Sequence, residues 1–433
     1  MKTRLVALAF TVFFCAEYAA ADYAGIAVHE TAGLARELWP VQVGVTVPEE
    51  TSTDSLVLVQ VGEDGSLQEV PFQLIGEIDS HGLDNRWGRL RNIKSIEIAF
   101  VTELPADASL DFRLYYSEPE VDVLPASASP RLNVESGEGL ARIVDTGEAR
   151  FEFHPDSGQL IKYTLAGAEH TPELLRERNN PVHGAGDLRT SRNNVRFWDL
   201  EDESHELTFD ESVGPATWQL VRSGYMPHTD QQVEISVTYT AFAGMPLLLT
   251  SSHIRFHSDW AVAALRMNQL VFDRGFHTHG AYMTHDGQFN IRRAFNPEDP
   301  EEHFGTLGLD PLPPDVPFIG MLHEERGYGI GLVTLGRDNQ RTQRVHVPQD
   351  GGAYYHFLDS DLFGAGSPRN FLYLVRYETY QGNHHLVIPS GSLYSSTAAI
   401  LAYPVGGQND DDRHYEVKRW IRMLRNPPRV YAK

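Results

Sequence analysis

Residues 276–289 read FHTHGAYMTHDGQF and contain several side chains that could carry out chemistry. Three histidines, a tyrosine and an aspartate lie between His277 and Asp286, and Arg292 and Arg293 follow a few positions later. Imidazole and phenol groups can transfer protons in catalysis, and imidazole and carboxylate groups can bind a metal ion. The stretch is therefore a candidate acid–base site, a candidate metal site, or a polar segment that happens to be rich in histidine.

The metal interpretation rests on the spacing of the histidines. If the segment is an extended strand, His277 and His279 are two residues apart and face the same side. His285 or Asp286 could then complete a divalent site. An H-x-H pair is common by chance, and no cysteine lies nearby to support it. We expect no organic cofactor and leave open a structural divalent metal ion held by His277, His279 and His285.

Length and charge limit the class of protein. The chain has 433 residues, which suggests two domains rather than one compact core. Its composition, 41% hydrophobic and 22% charged, is that of a folded globular protein. The net charge of −23 at pH 7 would repel nucleic acid, so we expect no nucleic-acid partner. Any anionic ligand would need a local basic pocket.

The N-terminus has the features of a secretory signal peptide. Lys2 and Arg4 precede an apolar run, and alanines at 19–21 offer a cleavage site, so we predict a signal peptide over residues 1–21. The predicted location is secreted or periplasmic. A second interpretation anchors the chain as a lipoprotein through Cys15. No later segment is apolar over about 18 residues, so we expect no integral membrane association.

Alternating apolar and polar residues recur along the chain and predict β-strands throughout. A segment rich in Pro, Ser and Ala, residues 121–133, predicts a linker. We therefore predict an all-β fold. A small N-terminal β-barrel or β-sandwich, residues 22–120, precedes a large antiparallel β-sandwich, residues 134–433.

One helix is predicted near the C-terminus. Val417, Trp420, Ile421 and Leu424 recur with helical spacing, and Pro427 ends the pattern. One apolar face of this helix should pack on the sandwich.

Six segments follow one another in a familiar order. They are EVPFQL (69–74), NIKSIEIAFVTELPADASLDFRLYYSEP (92–119), GEARFEFHPDSGQLIKYTLAG (147–167), SVGPATWQLVRSGYM (212–226), VEISVTYTAFAGMPLLLTSSHIRF (233–256) and PFIGMLHEERGYGIGLVTL (317–335). The first two resemble the small β-barrel of secreted bacterial rhamnogalacturonan lyase-like proteins. The others resemble the β-supersandwich of polysaccharide lyases and galactose-mutarotase-like proteins. The resemblance covers most of the chain and implies a supersandwich catalytic domain in a secreted rhamnogalacturonan, ulvan or other uronate lyase.

Such lyases cleave a uronic-acid-containing polysaccharide by β-elimination. A base removes the proton at C5, an acid protonates the leaving oxygen, and cationic or amide groups neutralise the carboxylate. For this chemistry the resemblance implies His277 or His279 as the base, Tyr282 as the acid, and Arg292 or Arg293 as the carboxylate clamp. The alternative is a histidine-rich sheet edge with no catalytic role.

Further polar and aromatic residues could contact an acidic polysaccharide, which is the expected partner. The 171–199 segment is locally basic and rich in amides, and aromatic rings elsewhere could stack on sugars. A solvated loop and buried sheet tyrosines would explain the same residues. The predicted substrate-binding residues are Asn180, His183, Arg192, Arg293, His323, Tyr355 and Arg376.

Two other classes of function stay open. A mutarotase-like or glycoside hydrolase enzyme would need a pair of acid–base carboxylates, for which the acidic residues at 298–302 are the nearest in sequence. A non-catalytic carbohydrate-binding protein would need only polar and aromatic contacts. His253 and His257 lie in strand-like contexts and are interpreted as structural.

Overall fold

In the computed structural model, the described residues are 23–79, 93–117, 119, 122–126, 132–138, 142–168, 174–180, 207–226, 229–262, 264–273, 277–293, 316–340, 354–359, 369–378, 386–406 and 413–433. The predicted signal peptide, with Cys15, and residues 121 and 127–131 of the predicted linker lie outside these residues. No helix among the described residues is long and apolar enough to cross a bilayer.

The N-terminal unit consists, in its described part, of two antiparallel sheets. One has the order β27 (Arg429–Ala432), β1 (Tyr23–His29), β7 (Ser109–Tyr115), β3 (Val57–Val61) and β4 (Leu67–Glu69). The other has the order β2 (Arg36–Pro48), β6 (Ile93–Leu104) and β5 (Phe72–Asp79). The last strand of the chain therefore pairs with the first, Ile26 lying opposite Ala432. The described strands do not close into a barrel, so the unit is a sandwich.

A nine-stranded antiparallel sheet, the central sheet, dominates the rest of the described chain. Its order is β13 (Thr208–Val213), β14 (Thr217–Tyr225), β15 (Val233–Phe242), β16 (Leu247–Phe256), β26 (Leu393–Pro404), β22 (Tyr328–Gln340), β21 (Phe318–His323), β19 (His279–Met283) and β20 (Phe289–Arg293). Val, Ile, Leu and aromatic residues alternate with polar residues along β14, β15 and β16, which fixes the two faces of the sheet.

Two four-stranded sheets and a short ribbon complete the described strands. The first has the order β11 (Leu160–Leu165), β10 (Ala149–Phe153), β9 (Arg142–Asp145) and β8 (Asn133–Ser136). The second has the order β12 (Leu174–Asn180), β18 (Ala264–Asp273), β24 (Arg369–Glu378) and β23 (Tyr354–Asp359). The ribbon pairs β17 (Trp260–Val262) with β25 (Leu386–Ile388).

The core lies on both faces of the central sheet. On the inner face, buried residues such as Trp218, Tyr239 and Ile400 pack with residues of the two four-stranded sheets. On the outer face, Leu247 and Leu401 pack with residues of the N-terminal unit and of the helix. Because apolar residues are buried on both of its faces, the central sheet lies in the middle of the hydrophobic core.

The helix of the described residues, α1, runs from Tyr415 to Arg425. It buries Val417, Ile421 and Met423 against the outer face, with Trp420 and Leu424 partly buried beside them. This confirms the predicted apolar face. The all-β sandwich with a C-terminal helix is confirmed as the fold class, and the domain boundaries drawn from the sequence stay a prediction.

Candidate functional site

His277, the first candidate base, lies inside the protein. Its side chain is 1% exposed and meets the ring of Phe272 edge-on at 4.5 Å between centroids. The ring of Tyr328 lies 5.9 Å away. Burial lowers the pKa of His277 to about 3, with a smaller contribution from His323. The imidazole is therefore neutral at pH 7 and packed among core side chains, where a polymer chain does not reach it.

His279 and Tyr282 lie on opposite faces of strand β19. His279 is the register partner of Leu322, which belongs to the outer-face core. Tyr282 is the register partner of Ile319, which belongs to the inner-face core, and its ring packs against that core. Because residues three apart on a strand point in opposite directions, the candidate base and acid cannot act on the same sugar.

The candidate arginine clamps are known by their register positions. On β20, Arg292 lies opposite Gly280 and Arg293 lies opposite His279. The two arginines therefore occupy neighbouring positions on the strand.

His279 contacts polar and charged side chains on the outer face of the sheet. Its Nδ1 lies 2.8 Å from the Thr278 hydroxyl, and its Nε2 lies 3.8 Å from a carboxylate oxygen of Glu324. Glu324 also lies 3.6 Å from the guanidinium of Arg413, just before α1. The group ties strand β19 and the following strands to the start of the helix region.

The third predicted metal ligand, His285, is exposed in the turn after β19. In that turn the Thr284 hydroxyl donates a hydrogen bond to Asp286 and holds the pKa of that carboxyl below its usual range. Among the described residues, no three His, Cys, Asp or Glu side chains group as metal ligands. His277 is buried, His279 is on the outer face and His285 is in the turn, so the structure does not bring the predicted metal ligands together.

The predicted substrate-binding residues are scattered. His323 is 8% exposed, at the end of β21, and its Nδ1 accepts a hydrogen bond from the Arg326 backbone at 3.3 Å. Asn180 ends β12 opposite Arg266, whereas Tyr355 lies on β23 opposite Leu374. The remaining positions are as follows: Arg376 lies on β24, and His183, Arg192 and the acidic residues at 298–302 lie outside the described residues.

A different part of the central sheet groups polar side chains. On the outer face, beyond the part that the N-terminal unit and α1 cover, strands β13 to β16 and β26 present hydroxyl, imidazole, amide and charged groups. We call this surface the hydroxyl face. Its residues, all at least partly exposed except Thr240, are Thr208, Asp210, Gln219, Ser223, Tyr225, Glu234, Ser236, Thr238, Thr240, Ser251, His253, Arg255, Ser395 and Thr397.

Strand register aligns these side chains in rows across the sheet. In one row Ser223 lies opposite Ser236, and Ser236 lies opposite His253. The row continues through Ser395 and begins at Thr208. Neighbouring strands are about 4.8 Å apart, so a row that crosses five strands is roughly 19 Å long. A linear ligand lying along the row could contact every strand.

Hydrogen bonds hold the side chains of the hydroxyl face in place. Ser223 donates to Ser236 at 3.0 Å, and His253 Nδ1 lies 2.9 Å from the Ser395 hydroxyl. Ser251 lies 3.2 Å from the hydroxyl of Thr397. A hydroxyl has one donor and two acceptor sites. Each hydroxyl can therefore form a hydrogen bond with a ligand while it keeps its hydrogen bond to the neighbouring side chain.

Charged and aromatic groups meet at one edge of the hydroxyl face. Glu234 accepts a hydrogen bond from His257 at 2.9 Å and lies 3.9 Å from Arg255. The ring of Tyr225 lies 6.3 Å from the ring of His257. A carboxylate, a guanidinium, an imidazole and a phenol thus lie within one patch that is open to solvent.

His253 stands in the middle of the face as a neutral group. Burial, and to a lesser degree the charge of Arg255, lower the pKa of His253 below its ordinary value. At pH 7 the ring carries one donor and one acceptor nitrogen. The sequence interpretation treated His253 and His257 as structural, and the signal that could have revealed the face is the polar alternate positions in VEISVTYT (233–240).

Comparisons with known proteins show the fold. No protein-family model and no curated protein matches the chain. A solved alpha-mannosidase from Enterococcus faecalis V583 is similar to it, with a TM-score of 0.51, 10% identity, and coverage of 95% of this chain and 46% of the mannosidase. A glycosyl hydrolase family 38 protein from Enterococcus faecalis is similar at a TM-score of 0.51 and 11% identity, over 95% of this chain and 47% of its own. The chain spans about half the length of these two proteins.

A weaker similarity concerns a galactose 1-epimerase from Lactobacillus acidophilus NCFM. Its TM-score is 0.31 at 8% identity, over 64% of this chain and 99% of the epimerase, which is too low to support an argument. The similarity of fold is therefore with part of the alpha-mannosidase and of the family 38 protein.

The prediction of a polysaccharide lyase is wrong. The similar solved structures are glycoside hydrolases rather than lyases. The geometry explains why the sequence misled, because His277 is buried and Tyr282 faces away from His279. What the chain shares with these two proteins is a fold.

Proposed function

We propose that this chain binds neutral carbohydrate through the hydroxyl face of the central sheet. The observation that carries the proposal is the row of hydroxyl and imidazole groups, from Thr208 to Ser395, on an uncovered part of the sheet. Sugar hydroxyls both donate and accept hydrogen bonds, as do the groups of this row. The similarity of the fold to a mannosidase and a family 38 glycosyl hydrolase supports carbohydrate as the ligand class.

Binding is favoured over hydrolysis by the carboxylates of the face. A glycoside hydrolase needs two carboxyl groups that flank the scissile bond. The described part of the hydroxyl face has two carboxylates, Glu234 on β15 and Asp210 on β13. In the register they are two strands and four residues apart, roughly 17 Å, which exceeds the separation of about 5–9.5 Å in glycoside hydrolases. Glu234 also already contacts His257 and Arg255. The chain also spans about half of the two similar hydrolases, and the activity in their names is a property of whole proteins.

Charge favours a neutral ligand over an acidic one. The protein has a net charge of −23 at pH 7, which repels anionic polymers at long range. His253 is neutral at this pH, and the guanidinium of Arg255 lies beside Glu234. The acidic polysaccharide expected from the sequence is therefore the less favourable partner.

The proposal is tested by affinity electrophoresis in gels that contain mannan, xylan or β-glucan, and in parallel gels with polygalacturonate or alginate. Ser236→Arg places a long charged side chain in the middle of the face, and Ser136→Arg makes the same change on the exposed strand β8. We expect at least one neutral polysaccharide to retard the unsubstituted protein and Ser136→Arg. Ser236→Arg should lose affinity at least about tenfold, since it blocks hydrogen bonds along a whole row.

Two results would contradict the proposal. One is retardation by acidic polysaccharides alone, or by none. The other is equal retardation of Ser236→Arg and Ser136→Arg, because the ligand would then bind elsewhere.

A further inference from the structure

A cavity of about 370 Å³ lies where three parts of the chain meet. Its walls come from the start of β2, from the turns that follow β11 and β15, and from the end of β26 together with α1. It lies at the end of β26 next to α1, and none of its lining residues belongs to the hydroxyl face. A volume of this size is at the lower end of the range for small-molecule sites.

The lining of the cavity combines an indole, a guanidinium and carboxylates. Trp420 and Arg419 come from α1, Glu37 comes from β2, and Glu148 comes from the turn before β10. Arg419 lies 3.5 Å from a Glu37 carboxylate oxygen and 3.7 Å from one of Glu416. The three glutamates against one arginine give the cavity a net negative charge.

The walls are held in place by buried interactions, so the cavity is preformed. Arg36, next to Glu37, is fully buried and pairs with Glu30 at 3.0 Å. Its guanidinium also donates to the Met423 carbonyl at 3.0 Å and so ties β2 to the end of α1. Met423 and Tyr403, which line the cavity floor, are at most 2% exposed. A preformed cavity avoids the cost of ordering its walls when a ligand binds.

We propose that this cavity is a second binding site, one that takes a neutral mono- or disaccharide and rejects the corresponding uronic acid. The indole of Trp420 offers a flat apolar surface for the C–H face of a sugar ring. Carboxylates accept hydrogen bonds from vicinal hydroxyls, and Arg419 donates to sugar oxygens. The carboxylate of a uronic acid would meet the negative charges of Glu37, Glu148 and Glu416, which would repel it.

The test measures binding of small sugars to the whole chain by saturation-transfer NMR and calorimetry. The probes are mannose, glucose, galactose and their disaccharides, together with glucuronate and galacturonate. Ala166→Trp fills the cavity from an exposed position and removes no packing, and Ala106→Trp makes the same change in the exposed turn between β6 and β7, outside the cavity lining. We expect at least one neutral sugar to bind the unsubstituted protein and Ala106→Trp. Ala166→Trp should bind at least tenfold more weakly.

A charge variant adds a second measurement. Glu148→Gln removes one negative charge from the cavity, and Glu69→Gln removes one from an exposed strand elsewhere. The unsubstituted protein and Glu69→Gln should prefer the neutral sugar over its uronic acid by at least tenfold. Glu148→Gln should reduce this preference at least twofold.

The proposals for the cavity and for the hydroxyl face can be contradicted independently of each other. Ser236→Arg should abolish binding of the polysaccharide and leave small-sugar binding unchanged. No small-sugar signal, an equal signal from Ala166→Trp and Ala106→Trp, or a preference for uronic acids would overturn the cavity proposal. None of those results would decide whether the hydroxyl face binds polysaccharide, which the gel experiment tests.

Discussion

The outer face of the central sheet has two halves that differ in chemistry although the same strands build both. In the half that the N-terminal unit and α1 cover, the outer-face positions of strands β15, β16 and β26 hold Phe242, Leu247 and Leu401. In the other half the same alternating positions hold Ser236 and His253. The inner face of these strands stays apolar along most of its length.

This contrast shows what determines whether an outer-face position is polar or apolar. Most inner-face positions are apolar because other sheets cover them. Ser252 and Ser396 are buried polar exceptions, and both form hydrogen bonds with Asn268. An outer-face position is apolar only where the N-terminal unit or the helix lies on it. The change from Leu401 to Thr397 along β26 therefore marks the edge of the covering layer. Beyond that edge the sheet keeps groups that can bind a polar ligand.

The largest expected effect comes from the covered half. Leu401→Ala removes a fully buried side chain at the contact between the central sheet and the N-terminal unit. The lost burial and the cavity left behind should lower the free energy of unfolding by about 2–5 kcal/mol. Denaturant unfolding followed by circular dichroism measures this change. A loss below about 1 kcal/mol would mean that the N-terminal unit does not depend on this contact.

The stability of the folded protein should depend on pH because His277 is buried. The pKa of His277 is about 3 in the folded protein, against about 6.5 for an unperturbed histidine. Between these values the unfolded chain binds a proton that the folded chain does not, so stability falls as the pH is lowered below 6.5. From pH 7 to pH 5 this single group should cost about 2 kcal/mol.

His277→Leu removes that titration and tests its source. The difference in unfolding free energy between pH 7 and pH 5 should shrink by about 2 kcal/mol in this variant. His285→Leu, an exposed histidine in the turn of the same segment, should keep the full difference. The same pH dependence in both variants would show that the acid sensitivity arises from other groups.

Alternation along the sequence predicted the strands but could not predict the hydroxyl face, for one physical reason. Alternation within one segment shows which residues share a face, and it predicted strands throughout the part of the chain where β15 and β16 lie. It does not show which strand becomes the neighbour. His253 reaches Ser395, 142 residues away in the chain, and only the pairing of β16 with β26 brings them together.

The 277–285 segment failed for a related reason. The prediction placed His277 and His279 on one face of an extended strand. In the structure β19 begins at His279, so the alternation does not extend back to His277, whose ring turns into the core. A local cluster of chemically able residues predicts a site only if they share one face and that face is open.

The smallest expected effect comes from the uncovered half, at a position four residues from Leu401 on the same strand and face. Thr397→Val keeps the shape of the side chain but removes the hydroxyl that lies 3.2 Å from Ser251. The unfolding free energy should change by no more than about 0.5 kcal/mol, because the site is partly exposed.

Affinity for the neutral polysaccharide should nevertheless fall about twofold to tenfold in Thr397→Val, since one hydrogen-bonding group of the hydroxyl face is lost. Thr164→Val, on a sheet edge away from the hydroxyl face, should change neither quantity. If Thr397→Val instead destabilised the protein as much as Leu401→Ala, the hydroxyl of Thr397 would serve the fold. The contrast between the two halves would then reflect packing alone and would not indicate a ligand.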